Sequence, residues 1–328
     1  MKKKIALVTG GFSGEAAISY KSAVTIYNNL DKEIFDVYTI DINPEGWFYV
    51  DQDGNKTKVN KEDFSIQANG SEVNFDAVFI GMHGTPGEDG KLQGYFDMLQ
   101  LPYTSCNAAT SALTFNKRYT TAVAAVAGIA VAKSVHLFHH TGYNVHDILA
   151  QLRLPVFVKP NNGGSSIGMS KVTEAGKLEE ALEKAFKEDD QVLVEEMIQG
   201  REFTIGVFKS EGEIIPLPIT EVVSQKDFFD YEAKYHGASS EITPAVIDEG
   251  WKAKIEEAAA KIYQVFNCNG VVRIDFIYNE AQDTPYMLEI NTVPGQSEAS
   301  IIPQQVRAKG WSLKAFYTWL VLDALENK

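Results

Sequence analysis

Val271-Val272-Arg273-Ile274-Asp275-Phe276-Ile277 and Met287-Leu288-Glu289-Ile290-Asn291 are the two runs whose reading decides the fold. Both alternate apolar and polar residues, the pattern of a half-buried β-strand. Arg273 and Asp275 share one face of the first; Glu289 and Asn291 share one face of the second. The polar linker Tyr278–Tyr286 contains a proline and predicts a hairpin with a longer loop. A hairpin symmetric about its middle sets Asp275 opposite Glu289 and Arg273 opposite Asn291, with Cβ atoms about 4.5–5.5 Å apart. A one-residue slip would send these groups to opposite faces. Two carboxylates that close repel unless a cation sits between them. With an amide oxygen they form an all-oxygen set, better suited to Mg2+ than to zinc. The expectation is a metal–nucleotide site. The competing reading is a buried ion network in which Arg273 neutralises both acids.

Working outward, the chain divides into three expected units. Residues 1–107 carry strands Ile5–Val8, Phe35–Ile40 and Ala77–Ile80 separated by helical pattern, which predicts a parallel sheet with ligand groups at strand C-termini. Residues 108–198 open with an Ala/Val-rich helix, then a strand Val156–Lys159 running into a glycine-rich loop. Residues 199–328 hold strands near Phe203–Phe208 and Ile214–Leu217, an aromatic loop Phe228–Tyr235, a helix Trp251–Phe266, the hairpin and a closing helix from about Ser312. The fold class expected is α/β, with α+β character in part.

Bulk properties exclude several classes. The net charge of -14 argues against nucleic acid or an anionic membrane as the main partner, since both need a basic surface. Cys106 and Cys268 have no metal-ligand spacing. The apolar run after Met1-Lys2-Lys3-Lys4 stops at Gly10-Gly11, short of a signal-peptide core, and no stretch reaches the length of a membrane span. A cytoplasmic protein is expected.

The loop Asn162–Gly168 follows a strand and holds three glycines and two serines, so its backbone N–H groups and hydroxyls can approach a phosphate. It lacks the Gly-Lys-Ser/Thr of a Walker A loop. Lys159 before it and Lys117 add positive charge. The turn Gly10-Gly11-Phe12-Ser13-Gly14-Glu15 is neither a dinucleotide fingerprint nor a nucleophile elbow. His83 lies in a glycine-rich loop straight after a strand, where α/β proteins bind ligands. Asn291-Thr292-Val293-Pro294-Gly295 places a glycine N–H beside an arginine and two acids, equipment for stabilising a developing oxyanion.

These stretches together resemble the ATP-grasp carboxylate–amine ligases and, within them, the D-alanine–D-alanine ligases. The residues that carry the resemblance are Gly10-Gly11, Ser13, Glu15 and Ile18-Ser19; His83-Gly84 with Gly87-Glu88-Asp89-Gly90; Lys159-Pro160 with Gly164-Ser165-Ser166-Ile167-Gly168; Glu202-Phe203-Thr204; Tyr231-Glu232-Ala233-Lys234-Tyr235; Arg273-Ile274-Asp275; Glu289-Ile290-Asn291-Thr292; and Pro294-Gly295. They run nearly end to end, and their order makes them specific.

The resemblance implies a three-domain ATP-grasp architecture. An N-terminal Rossmann-like substrate domain precedes a central and a C-terminal subdomain, with nucleotide bound between the latter two. It implies that ATP phosphorylates the carboxylate of one D-alanine and that the amine of a second attacks the acyl phosphate. Lys117, Lys159, Ser165, Ser166 and Lys234 would contact ATP phosphates. Glu195, the backbone of Glu196–Ile198 and Glu202 would hold adenine and ribose. Asp275, Glu289 and Asn291 would bind two Mg2+, with Mn2+ as an alternative ion. Arg273 and the Gly295 N–H would stabilise the oxyanion. Glu15 would pair with the first ammonium, His83 would neighbour the first carboxylate, and Ser300 would hold the second. Ser165 and Tyr235 would bond with Glu15 and close the aromatic loop. The stretch Gln296-Ser297-Glu298 departs from the family pattern at the second subsite. A homodimer serving peptidoglycan precursor synthesis is implied. The alternatives are a ligase joining a D-amino acid to another amine or to D-lactate, and a nucleotide binder without catalysis.

Overall fold

The computed structural model describes residues 1–164, 167–224 and 239–326. Its first sheet has the order β4-β3-β2-β1-β7, built from β1 (Lys3–Gly10), β2 (Phe35–Asn43), β3 (Gly46–Val50), β4 (Lys56–Lys58) and β7 (Ala77–Ile80); β5 (Ile66–Ala68) and β6 (Ser71–Val73) pair separately. Strands β2, β1 and β7 are parallel, as the sequence predicts, and β3 and β4 extend the sheet antiparallel. Strand β1 is buried on both faces. Ile5 and Leu7 pack with helix α1 (Ala16–Asn29) and the C-terminal helix, while Ala6 and Val8 face an aromatic cluster around Phe64 and Phe96. That double burial explains its near-continuous apolar run.

Helices α2 (Lys91–Met98), α3 (Ala108–Phe115) and α4 (Lys117–Val126) follow. Asn107 and Asn116 cap the last two by accepting the N–H groups of Thr110 and Tyr119. The second sheet, β10-β9-β11-β8, is antiparallel and comprises β8 (Ser134–Phe138), β9 (Val156–Pro160), β10 (Ser170–Val172) and β11 (Gln191–Glu196). Helices α5 (Val145–Gln151) and α6 (Leu178–Phe186) cover its apolar face through Ile148, Leu178, Leu182 and Ala185.

The third sheet runs β15-β14-β12-β16-β17, with β13 also on β12. Its strands are β12 (Arg201–Ser210), β13 (Glu213–Pro216), β14 (Thr220–Ser224), β15 (Ser239–Ile242), β16 (Val272–Asn279) and β17 (Thr284–Asn291). One face packs on helix α7 (Glu249–Val265) and on Leu113, Val123 and Ala124 from α3 and α4. Helices α8 (Ile301–Ala308) and α9 (Leu313–Glu326) close the chain. Phe316, Tyr317 and Leu320 of α9 return to the first sheet beside Ile5 and Phe79. The C-terminal end of the chain is thereby packed against its beginning.

Candidate active site

The hairpin β16–β17 pairs Arg273 with Asn291 and Asp275 with Glu289, the register expected from symmetry. The register further out differs. Phe276 faces Met287 and Tyr278 faces Pro285, so the ladder shifts between Asp275 and Phe276 and Leu288 is the extra residue of a β-bulge. Met287 and Ile290 both enter the core, three positions apart, which unbroken alternation forbids. Without the bulge, the outer pairing would set Asp275 against Leu288 and turn Glu289 into the core. The bulge re-aims the acids onto one face.

On that face Arg273 grips Asp275 in a fork, Nε to Oδ1 at 2.9 Å and Nη2 to Oδ2 at 2.8 Å, and lies 4.0 Å from Glu289. Asn291 Nδ2 donates to Asp275 Oδ2 at 3.2 Å. The Thr204 hydroxyl donates to Asp275 Oδ1 from β12. Burial opposes the charge on Arg273, but Asp275, then Glu289 and Glu88, hold its pKa above the ordinary arginine value. Glu202 and Thr204 stand on the same sheet face, across from Ile277 and Asp275. Among the described residues no three His, Cys, Asp or Glu side chains converge. Two carboxylates and an amide suit an ion that keeps water and phosphate oxygens as its other ligands, which is the habit of Mg2+. The donor set therefore fits that ion.

Beyond β17, Gly295 abuts Ser300. A Cβ on Gly295 would lie 2.8 Å from Ser300 Oγ. Ser300 precedes α8, and Ser297 Oγ meets Ser300 Oγ at 2.7 Å. The unusual Gln296-Ser297-Glu298 stretch holds this turn in place. Gln296 is buried and accepts from Tyr317 at 3.2 Å, and Glu298 pairs with Arg307. Gln305 anchors α8 to the sheet. It accepts the Gly206 N–H at 2.9 Å and donates to Thr204 O and Thr220 Oγ1, both at 3.0 Å.

From the first sheet come Glu15, His83 and Glu88. The Glu15 carboxylate is wedged between two loops. A Cβ on Gly164 would meet Oε1 at 2.7 Å, and one on Gly84 would strike Oε2. His83 is 5% exposed, and both ring nitrogens are engaged, Nε2 with Ser22 Oγ at 2.8 Å and Nδ1 with the Val293 carbonyl at 2.7 Å. Burial lowers its pKa to about 4. Glu88 accepts the Gly84 N–H at 2.6 Å and the Val293 N–H at 3.2 Å. Enclosure by protein, then the charge of Glu15, push its pKa up to about 8.

The second sheet supplies Lys159, ion-paired with Glu195, its diagonal neighbour across β9 and β11. Lys117 Nζ donates to Gly163 O at 2.8 Å, at the start of the glycine-rich loop that follows β9. That loop joins antiparallel strands β9 and β10. The Glu196 N–H bonds Lys133 O, and its carboxylate accepts the Arg153 N–H at 2.9 Å; partly buried Ile198 follows. Ser165, Ser166, Lys234 and Tyr235, with the aromatic loop, lie outside the described residues.

Sequence reasoning gave no role to Glu88, Thr204, Gln305 or Ser22. Glu88 and Thr204 stand inside the quoted motifs, which was a usable signal. Ser22 and Gln305 are single polar residues on helices, with no local pattern to single them out.

A Rossmann-like sheet followed by two antiparallel sheets, one with a lysine-flanked glycine loop and one with an acidic hairpin, defines an ATP-grasp fold. The family model described as D-ala D-ala ligase N-terminus matches residues 4–106, and that described as D-ala D-ala ligase C-terminus matches residues 123–322. The chain belongs to the D-alanine–D-alanine ligase family. A D-alanine–D-alanine ligase of Parabacteroides distasonis is 44% identical over 328 residues, covering 100% of this chain and 99% of that one. One from Flavobacterium johnsoniae is 45% identical over 316 residues, covering 96% and 97%. Among solved structures, the VanG D-Ala:D-Ser ligase of Enterococcus faecalis superposes with TM-score 0.89 at 32% identity, over 98% of this chain and 99% of that one. D-alanyl-alanine synthetase A of Vibrio cholerae gives 0.88 at 27%, over 99% of each.

Proposed function

We propose that the chain joins two D-alanine molecules at the expense of ATP, forming the dipeptide used in peptidoglycan precursors. The observation that carries this reading is the hairpin face on which Arg273, Asp275, Glu289 and Asn291 stand together. Its similarity to curated D-alanine–D-alanine ligases over the full chain supports the choice of substrates.

A carboxylate is a poor electrophile, and transfer of the γ-phosphoryl to one oxygen of the first D-alanine turns that oxygen into a leaving group. The second D-alanine's amine then attacks the acyl carbon, phosphate departs and the amine gives up a proton. The protein's share is alignment and charge neutralisation. Lys117 and Lys159 neutralise the phosphates, with Ser165, Ser166 and Lys234 in the same role. Glu195, Glu196, Ile198 and Glu202 hold the nucleoside. Asp275, Glu289 and Asn291 would hold Mg2+, which spreads negative charge away from the transferred phosphoryl group. Glu15 binds the first ammonium, Ser300 the second carboxylate, and Arg273 with the Gly295 N–H takes the oxyanion. The Gly295 N–H makes no hydrogen bond to any described residue.

The purified chain, given D-alanine, ATP and Mg2+, is expected to release phosphate and form D-alanyl-D-alanine. D-serine and D-lactate offered beside D-alanine define the second subsite. Absence of ATP turnover with D-alanine alone sinks the reading; a mixed dipeptide or an ester as main product moves the second substrate elsewhere.

A further inference from the structure

The segment Val293–Gln296 extends β17, yet its backbone is held by side chains from the opposite end of the chain. The Val293 N–H donates to Glu88 Oε1 at 3.2 Å, and the Val293 carbonyl accepts from His83 Nδ1 at 2.7 Å. The Gln296 N–H donates to Ser22 Oγ at 3.1 Å. Gly295 sits between these fixed points.

The proton positions follow from chemistry. A carbonyl only accepts, so Nδ1 of His83 carries a proton, and in the neutral ring that burial favours Nε2 accepts. Ser22 therefore donates its hydroxyl proton to Nε2 at 2.8 Å and uses a lone pair for the Gln296 N–H. One fully buried hydroxyl on α1 thus orders two of the three grips on the loop, one through the histidine and one directly. The His83 N–H in turn donates to Ser19 Oγ at 2.9 Å, one turn earlier on the same helix.

We infer that Ser22 is a positioning residue for acyl transfer, tying Val293 through His83, and Gln296 directly, to α1, so that the Gly295 N–H is aimed at the developing oxyanion. The inference rests on the proposed reaction. It assigns His83 a neutral, load-transmitting role in this relay, and it makes helix α1 part of the oxyanion machinery although it belongs to the first sheet.

The test separates phosphoryl transfer from acyl transfer. In rapid-quench experiments Ser22→Ala should keep the rate of single-turnover ADP formation within about twofold. The rate of dipeptide formation should fall by roughly 10-fold or more, toward the ~10²-fold loss expected when an oxyanion donor is misplaced. Ser22→Thr, which restores a hydroxyl, should recover acyl transfer. An equal fall in both steps, or no fall in either, overturns the inference. Should Ser22→Ala fail to fold, Ser22→Cys, with similar size and a weaker donor, is read by the same split. A wild-type chain without any D-alanine-dependent ADP formation would instead refute the proposed function, so the two failures are distinguishable.

Discussion

The hairpin face and the His83 pocket both bring ionisable groups out of water, by opposite means. On the hairpin each charge meets a counter-charge: Arg273 forks onto Asp275 and neighbours Glu289. In the His83 pocket the groups are driven neutral, His83 to about 4 and Glu88 to about 8. A paired charge is expensive to orphan but can be handed to a substrate or ion. A neutralised group holds its neighbours by hydrogen bonds without drawing charge away from the reaction. The first arrangement serves electrophilic chemistry; the second serves geometry.

The largest expected effect comes from breaking the pairing. Arg273→Ala should lower dipeptide formation by at least ~10²-fold while ATP binding stays nearly intact. It should also destabilise the fold by about 3–5 kcal/mol, because Asp275 is left buried without that counter-charge. Steady-state kinetics, nucleotide titration and denaturant unfolding read the three quantities. An unchanged rate removes Arg273 from the reaction.

Glu289 is the more open partner, with 36% of its side chain exposed. Glu289→Gln should raise the Mg2+ concentration needed for half-maximal rate and leave the melting temperature close to wild type. Coinciding Mg2+ titrations for the two proteins would take Glu289 out of the metal set.

The neutralised pocket predicts opposing pH slopes. Glu88 rises from 4.5 to about 8, so the folded chain keeps a proton that the unfolded chain has released. The stability it carries is full below about pH 4.5 and is lost as pH rises through 8. His83 falls from 6.5 to about 4, so its contribution is full above 6.5 and is lost as pH falls toward 4. Between pH 4.5 and about 8 the melting temperature should fall less steeply in Glu88→Gln than in wild type. A wild-type slope persisting in that variant would place the titrating group elsewhere.

The smallest effect belongs to a pair of neither kind. Lys177 and Glu180 meet at 3.1 Å with both side chains mostly exposed. Lys177→Ala should leave the melting temperature unchanged within error, since solvent screens such pairs. A clear drop would show that surface pairing matters more here than the comparison allows.

Much of the molecule was legible in the sequence. The parallel strands β1, β2 and β7, helix α6 and the β16–β17 hairpin stand where periodicity placed them, because each has a strong local repeat. Strands β3 and β8 were missed, as were the shorter β4, β5, β6 and β10; each of these last four spans three residues, too few to show a period. Among site residues, those inside motifs were visible. Ser22 and Gln305 were not, because a serine or glutamine on a helix reads as solvent-facing until something packs over it.

Alternation alone determined that Arg273 and Asp275 share a face, that Glu289 and Asn291 share a face, and that the two strands pair. The ordered motifs determined the family. Only the tertiary structure decided that these four groups look the same way. That depends on the bulge at Leu288, which forms because Met287 and Ile290 both bury against the core. Only the tertiary structure, too, decided that the Gly295 segment is held by Ser22 and His83, 274 and 210 positions distant from their partners. Local pattern reports the period of a strand; it carries no information about which distant side chain closes on its end.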